Sequence, residues 1–138
     1  MYLYDTNIVS ELTRKNPDVG VMTWIQAAQN NNDACYLSVI TLGEIQQGIA
    51  KLQRRNDHIQ AARFQRWYEQ DLMSLAQYTL DFDRNCAEVW GRLMALNPHH
   101  PVDNQIAATA LIYDLTLVTR NIKDIERTGV KFINPFLL

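Results

Sequence analysis

Met1-Tyr2-Leu3-Tyr4-Asp5-Thr6-Asn7-Ile8-Val9-Ser10-Glu11-Leu12 is the stretch on which the reading of the fold turns. A short apolar run ends at Leu3-Tyr4, a polar cluster Asp5-Thr6-Asn7 follows, and an apolar segment resumes at Ile8. That is the pattern of a strand, a turn and a helix start, with Asp5 or Thr6 able to cap the helix. A carboxylate at the end of a first strand is therefore the opening feature of the chain.

The alternation continues. Pro17 opens a helical pattern with Val21, Trp24, Ile25 and Ala28 at spacings of three and four, broken by Asn30-Asn31-Asn32-Asp33. Ala34 to Val39 reads as a second strand, and Thr41 begins a helix with Leu42, Ile45, Ile49 and Leu52 on one face. A further helix from about His58 to Met73, burying Ile59, Ala62, Trp67 and Leu72, completes a helical hairpin. Ala76 to Leu80 is expected as a third strand, and Asp83 caps a helix carrying Ala87, Trp90, Leu93 and Met94. After the loop Asn97-Pro98-His99-His100-Pro101, Val102 to Tyr113 is helical; Thr116 to Thr119 and Lys131 to Ile133 are the last strands. Apolar strands alternating with helices predict an α/β fold with a central parallel sheet of about four to five strands, flanked by helices. One domain over residues 1–138 is expected.

Composition narrows the classes. At 47% hydrophobic and 20% charged residues the chain is ordinary for a globular protein. No apolar run approaches the roughly 20 residues of a membrane span. No basic-then-apolar leader opens the chain, so a cytoplasmic protein without a membrane partner is expected. Cys35 and Cys86 match no metal-ligand spacing and read as buried free thiols. A net charge of −2 argues against a protein that holds nucleic acid by blanket phosphate neutralisation. It does not argue against a nuclease whose bound cations supply positive charge. Charge is uneven: Lys51, Arg54, Arg55, Arg63 and Arg66 face only Asp57 in their segment, and Arg120, Lys123, Arg127 and Lys131 form a second basic group. Solvated helix faces are the plain alternative for both.

Ligands in parallel sheets bind beyond the carboxyl ends of the strands, and the acids fall there. Asp5 ends the first strand, Glu44 lies in the first turn after the second, Asp103 in the first turn after the Pro-rich loop, and Asp124 just past the fourth strand. Four carboxylates in one cleft repel one another unless cations occupy it, and hard divalent cations prefer oxygen ligands. Each acid also has a structural alternative. Asp5 can simply cap its helix, Thr41 and Glu44 match a capping box, and Asp103 and Asp124 can be dipole-favoured first-turn acids.

These segments resemble the motifs of PIN-domain toxins of the VapC and FitB type. The opening Met1–Leu12 matches the first motif, Ser38-Val39-Ile40-Thr41-Leu42-Gly43-Glu44 through Ile49 the second, and Val102-Asp103-Asn104-Gln105-Ile106-Ala107-Ala108-Thr109-Ala110 the third. Leu117-Val118-Thr119-Arg120-Asn121-Ile122-Lys123-Asp124-Ile125 is similar to the fourth, and Asn134-Pro135-Phe136 to the usual tail. One departure is Ile125, where the family usually has Phe. The resemblance implies a PIN fold, dependence on Mg²⁺ or Mn²⁺, and endonucleolytic cleavage of RNA. It further implies a cognate antitoxin, operator DNA contacted only through that antitoxin, and a homodimer. Asp5, Glu44 and Asp103 fall on the family's three invariant acids, Asp124 on its fourth, and Thr6 and Asn121 on supporting polar positions. Asp5 and Asp103 would hold the principal metal, with Glu44 and Asp124 completing a second site or ordering the attacking water. The Lys51–Arg66 segment would guide RNA or receive an acidic antitoxin.

Other features point away from the site. His99-His100 reads as solvent-exposed, with no third ligand at metal spacing. Trp24, Trp67 and Trp90 sit at core spacing and are expected to be buried. Two rivals stand beside the nuclease: a catalytically silent PIN-fold binding partner, and a phosphoaspartate receiver or phosphatase-like α/β domain. The latter would need an adjacent acidic pair after a strand or a suitably placed catalytic Lys, and Asp5-Thr6-Asn7 lacks the second acid.

Overall fold

The computed structural model describes residues 1–75 and 78–137. Its strands are β1 (Tyr2–Tyr4), β2 (Cys35–Ser38), β3 (Tyr78–Leu80), β4 (Thr116–Val118) and β5 (Phe132–Ile133). They pair in parallel throughout, in the order β3-β2-β1-β4-β5. Of the expected third strand, Tyr78 to Leu80 is observed; Ala76 and Gln77 lie outside the described residues. From β1 the chain winds outward to β2 and β3, then returns to the other side of β1 for β4 and β5. The reversal opens a crevice between β1 and β4 at their carboxyl ends, the place where such sheets bind ligands.

Strand periodicity sorts the core into two layers. Leu3 and Leu117, with half-buried Tyr36, face one cluster, with Leu93, Ile106, Ala107 and Ala110. Tyr4, Cys35, Leu37 and Val118 face the other, with Ile8, Val21, Ile25 and Leu72. The helices on these faces are α1 (Thr6–Glu11), α2 (Val19–Asn30), α3 (Val39–Arg54), α4 (His58–Trp67), α5 (Met73–Leu75), α6 (Arg84–Leu96), α7 (Pro101–Ile112) and α8 (Ile122–Ile125). A π-helical turn, Tyr68–Leu72, joins α4 to α5. Asp18, Ser38, Asp57 and Asp83 cap α2, α3, α4 and α6 by accepting from backbone N–H groups one turn in. Among the described residues, no helix is long and apolar enough to cross a membrane. Both cysteines are free and buried, as expected.

Three expectations need correction. The helix after β2 starts at Val39, capped by Ser38, so Thr41 is not a cap and no capping box with Glu44 forms. Two cap-forming residues lie three apart, and the one at the strand end takes the role. Glu44 consequently sits in the second turn of α3. On α4 the buried position is Ala61, while Ile59 is 87% exposed and Ala62 is exposed. Small Ala61 lies on the side that packs against α3, where Gln65 also accepts from Gln46 Nε2 at 3.1 Å. Finally, the tryptophans are half-buried, not fully enclosed. Trp24 stands edge-on to Tyr2 with 4.8 Å between ring centroids, and Trp90 Nε1 donates to Pro101 O at 3.0 Å.

Candidate active site

Asp5 is fixed by the sheet before its side chain does anything. Its N–H donates to Val118 O at 2.9 Å, locking the end of β1 to β4. One carboxylate oxygen, Oδ1, accepts from Thr6 N at 2.7 Å and so caps α1. The other, Oδ2, accepts from the Thr119 hydroxyl at 2.6 Å and from Asn7 Nδ2 at 3.3 Å. The cap and the site are one residue, so the two readings of Asp5 were not alternatives. The side chain is 3% exposed, and burial is the main force raising its pKa to about 6. The bonds from Thr119 and Thr6 oppose that rise, while the charges of Asp103 and Glu44 add to it.

Glu44 enters from α3. Its Oε1 accepts from Thr6 Oγ1 at 2.5 Å, and the same Thr6 hydroxyl lies 3.0 Å from that of buried Thr41. Thr6 thus couples the starts of two helices and aims Glu44 at the crevice. Asp103, in the first turn of α7, is held above the usual carboxylate range, first by burial and next by the charge of Asp124. His100 pulls the other way, Glu44 adds to the rise, and the nearby Asn121 side chain lowers it. Asp124, on α8, has Oδ1 3.0 Å from His100 Nε2. Each carboxylate therefore feels at least one of the others, and the four expected acids lie near one another at the carboxyl ends of the strands.

Among the described residues, no Lys or Arg pairs with any of the four. Glu11, another buried acid, lies elsewhere and accepts from Asp18 N at 2.8 Å and from Arg14 at 3.3 Å. These acids form a hard oxygen-donor set whose mutual repulsion is opposed, among the described residues, by His100 but by no Lys or Arg. That chemistry fits a divalent cation. Ligand atoms of His100, Asp103 and Asp124 all lie within 4.8 Å of one another.

Three participants escaped the sequence reading. His100 is one: the expected exposed pair is split, with His99 exposed and His100 turned onto Asp124 and within 3.9 Å of Asp103. The signal was the three-residue spacing to Asp103 across a helix start. Thr119 is the second, fully buried, donating to Asp5 and accepting from Asn121 N at 3.0 Å. Asn7 is the third: it donates to Asp5 and Thr119, and its Oδ1 accepts from Arg120 N at 3.2 Å. Only proximity across the sheet reveals these last two.

A buried relay stands behind Asp124. Asn104, 0% exposed, donates through Nδ2 to Asn97 O at 2.7 Å, and Asn97 Nδ2 donates to Asp124 O at 2.6 Å. Asn104 Oδ1 has no partner among the described residues.

A fully parallel sheet that gathers carboxylates at its strand reversal, with no Ser or Cys nucleophile among them, defines a class of acid-cleft α/β proteins. The family model for the PIN domain matches residues 2–131, and the chain belongs to the PIN-domain family. It is 32% identical over 142 residues to a VapC ribonuclease, Y4jK, of Sinorhizobium fredii, covering 99% of this chain and 98% of that one. It is 30% identical over 141 residues to toxin FitB of Neisseria gonorrhoeae, covering 99% of each. The crystal structure of FitAcB from Neisseria gonorrhoeae superposes with a TM-score of 0.84 at 29% identity, covering 100% of both chains. The structure of FitAB bound to an IR36 DNA fragment does so with a TM-score of 0.78 at 29% identity, covering 100% of this chain and 97% of that one. The expected parallel α/β fold of PIN type is the fold observed.

Proposed function

We propose that residues 1–138 form a single PIN domain that works as a Mg²⁺- or Mn²⁺-dependent endoribonuclease, the toxin of a type II toxin–antitoxin pair. The observation that supports this reading is the proximity of four carboxylates at the strand reversal, two with raised pKa values and none paired with Lys or Arg among the described residues. Asp5 and Asp103 would hold the principal metal, and Glu44 and Asp124 would complete a second, weaker site or order the attacking water. Bound there, Mg²⁺ or Mn²⁺ supplies Lewis acidity and a water of lowered pKa for attack on phosphorus.

The chain's own residues supply placement. Thr119 and Thr6 N hold the two oxygens of Asp5 in fixed directions, so the buried carboxylate needs little reorganisation as a ligand. Thr6 does the same for Glu44, and Asn121 steadies Asp103. Single-stranded or looped RNA is the substrate class, because its backbone and unstacked bases can enter a cleft. The kinship to a VapC ribonuclease and to toxin FitB supports both the nuclease and the toxin role. A cognate antitoxin, operator DNA reached through it, and a homodimer complete the proposal; the DNA-bound FitAB structure supports the second of these.

The test is cleavage of a total bacterial RNA pool with Mg²⁺, with Mn²⁺ and with chelator, Asp5→Asn running alongside. Discrete fragments that need metal and vanish in the variant are expected. Folded, partner-free protein that cuts nothing under any condition would move the assignment to a catalytically silent binding partner.

A further inference from the structure

Among the described residues, His100 is the one imidazole that converges with carboxylates at a spacing suited to a metal ion. Its position in the chain makes that notable. His100 is the N-cap residue of α7, yet its side chain makes no capping bond. The ring reaches across to α8 instead. There Nε2 lies 3.0 Å from Asp124 Oδ1, and Nδ1 stands 3.9 Å from Asp103 Oδ2.

The surrounding chain holds this approach without help from the ring. Asn104 N donates to His100 O at 3.0 Å, and Trp90 Nε1 donates to Pro101 O at 3.0 Å. Pro101 opens α7 with its φ already fixed. Asn97, at the far end of the same loop, donates to Asp124 O at 2.6 Å and accepts on its own carbonyl from buried Asn104 at 2.7 Å. The loop that carries the imidazole and the helix that carries Asp124 are thus tied together behind the two side chains. Those side chains are 40% and 29% exposed, so their contact stabilises the fold little as an ion pair. What the tie secures is the place of a nitrogen donor beside two carboxylates.

We propose that His100 is a nitrogen ligand of the ion held at Asp103 and Asp124, and that it biases this position toward a first-row transition ion, Mn²⁺ over Mg²⁺. The inference rests on the metal-dependent reading above. Two adjacent ligand atoms on an ion with bonds of about 2.1 Å stand about 3.0 Å apart, which is the spacing already present between Nε2 and Asp124 Oδ1. Donor chemistry gives the bias. Mg²⁺ prefers oxygen and gives up its waters reluctantly, so a neighbouring imidazole adds little to its binding. Imidazole suits the softer first-row ions, and affinity at a mixed nitrogen and oxygen site climbs from Mn²⁺ to Co²⁺. Carboxylates alone would favour neither so clearly.

The experiment uses the full chain at pH 8 in a non-chelating buffer, with Mn²⁺, Co²⁺ and Mg²⁺ as probes. Pulsed EPR of bound Mn²⁺ should show ¹⁴N modulation from a coordinated imidazole, and His100→Ala should abolish it. By calorimetry His100→Ala should weaken Mn²⁺ about tenfold, Co²⁺ by more, and Mg²⁺ by no more than about twofold. Because the ring makes no capping bond, the metal-free variant should melt with the wild type. His99→Ala should keep the modulation and all three affinities. Bound Mn²⁺ without ¹⁴N modulation, modulation that survives in His100→Ala, or an equal loss for all three ions would overturn the ligand role and leave the metal reading standing. If the wild type binds neither Mn²⁺ nor Mg²⁺, both readings fall together.

Discussion

Replacing Asp5 by Asn should make the metal-free protein more stable at pH 7.5, although it deletes the two hydrogen-bond acceptances at Oδ2. Burial raises the Asp5 pKa from 3.8 to about 6, which corresponds to roughly 3 kcal/mol of disfavour for the ionised, folded form. The sign follows from linkage. With its folded pKa raised, the group contributes most below about pH 4, and that contribution is lost as pH climbs through about 6. At pH 7.5 without metal the loss is complete. Asn carries no charge and keeps an oxygen for Thr6 N. Its NH₂ group, however, meets the Thr119 hydroxyl, which already accepts from Asn7 and Asn121, so one donor is left short at about 1–2 kcal/mol. The balance is a gain of about 1–2 kcal/mol, or roughly 3–8 °C in Tm for a chain of this size. Thermal melts in EDTA at pH 7.5 and pH 4 read it. The variant should melt higher at pH 7.5 and lower at pH 4, where Asp5 is protonated in the folded state and about half protonated in the unfolded one. Mg²⁺ should raise the wild type and leave the variant unmoved. A variant that melts lower by the same margin at both pH values would show Asp5 to be a satisfied helix cap and sink the argument.

Thr119→Val removes the hydroxyl donor to Asp5 while keeping the side-chain shape. Mg²⁺ affinity measured by calorimetry should fall about 10- to 100-fold, the range for losing a bond that orients a ligand. Asn104→Leu loses the bond to Asn97 O but also removes an unpartnered buried oxygen, so stability should stay within about 1 kcal/mol. With Asn97 no longer steadied, Asp124 should wander, and kcat on RNA should drop roughly tenfold at unchanged KM. A kcat equal to wild type would show that the relay serves packing alone.

The sequence exposed the parts of this site that are local. Asp5, Asp103 and Asp124 stand where an apolar run stops or a helix starts, and each position is readable within a few residues. The parts it concealed depend on pairing across the sheet. Thr119 donates to a carboxylate 114 residues away, and no window along the chain contains both. His100 looked like a loop residue because the loop's landing point on α8 is set by the Asn104–Asn97 relay. The capping box failed differently: Ser38 and Thr41 both suited a helix start, and only the length of β2 decides between them. On α4 the ambiguity between Ala61 and Ile59 is a helix phase, which the neighbour α3 fixes and the apolar pattern does not.

The place of β1 has a consequence in time. β1 is the central strand, and one of its two neighbours, β4, is made more than a hundred residues after it. Until residues 116–124 emerge, Asp5 has neither the Val118 carbonyl nor the Thr119 hydroxyl to hold it, and Asp124 does not yet exist. A nascent chain thus carries Asp5 past more than a hundred further residues before its partners on and after β4 are made. Any chemistry that needs the four acids together therefore waits until residues 116–124 have been made.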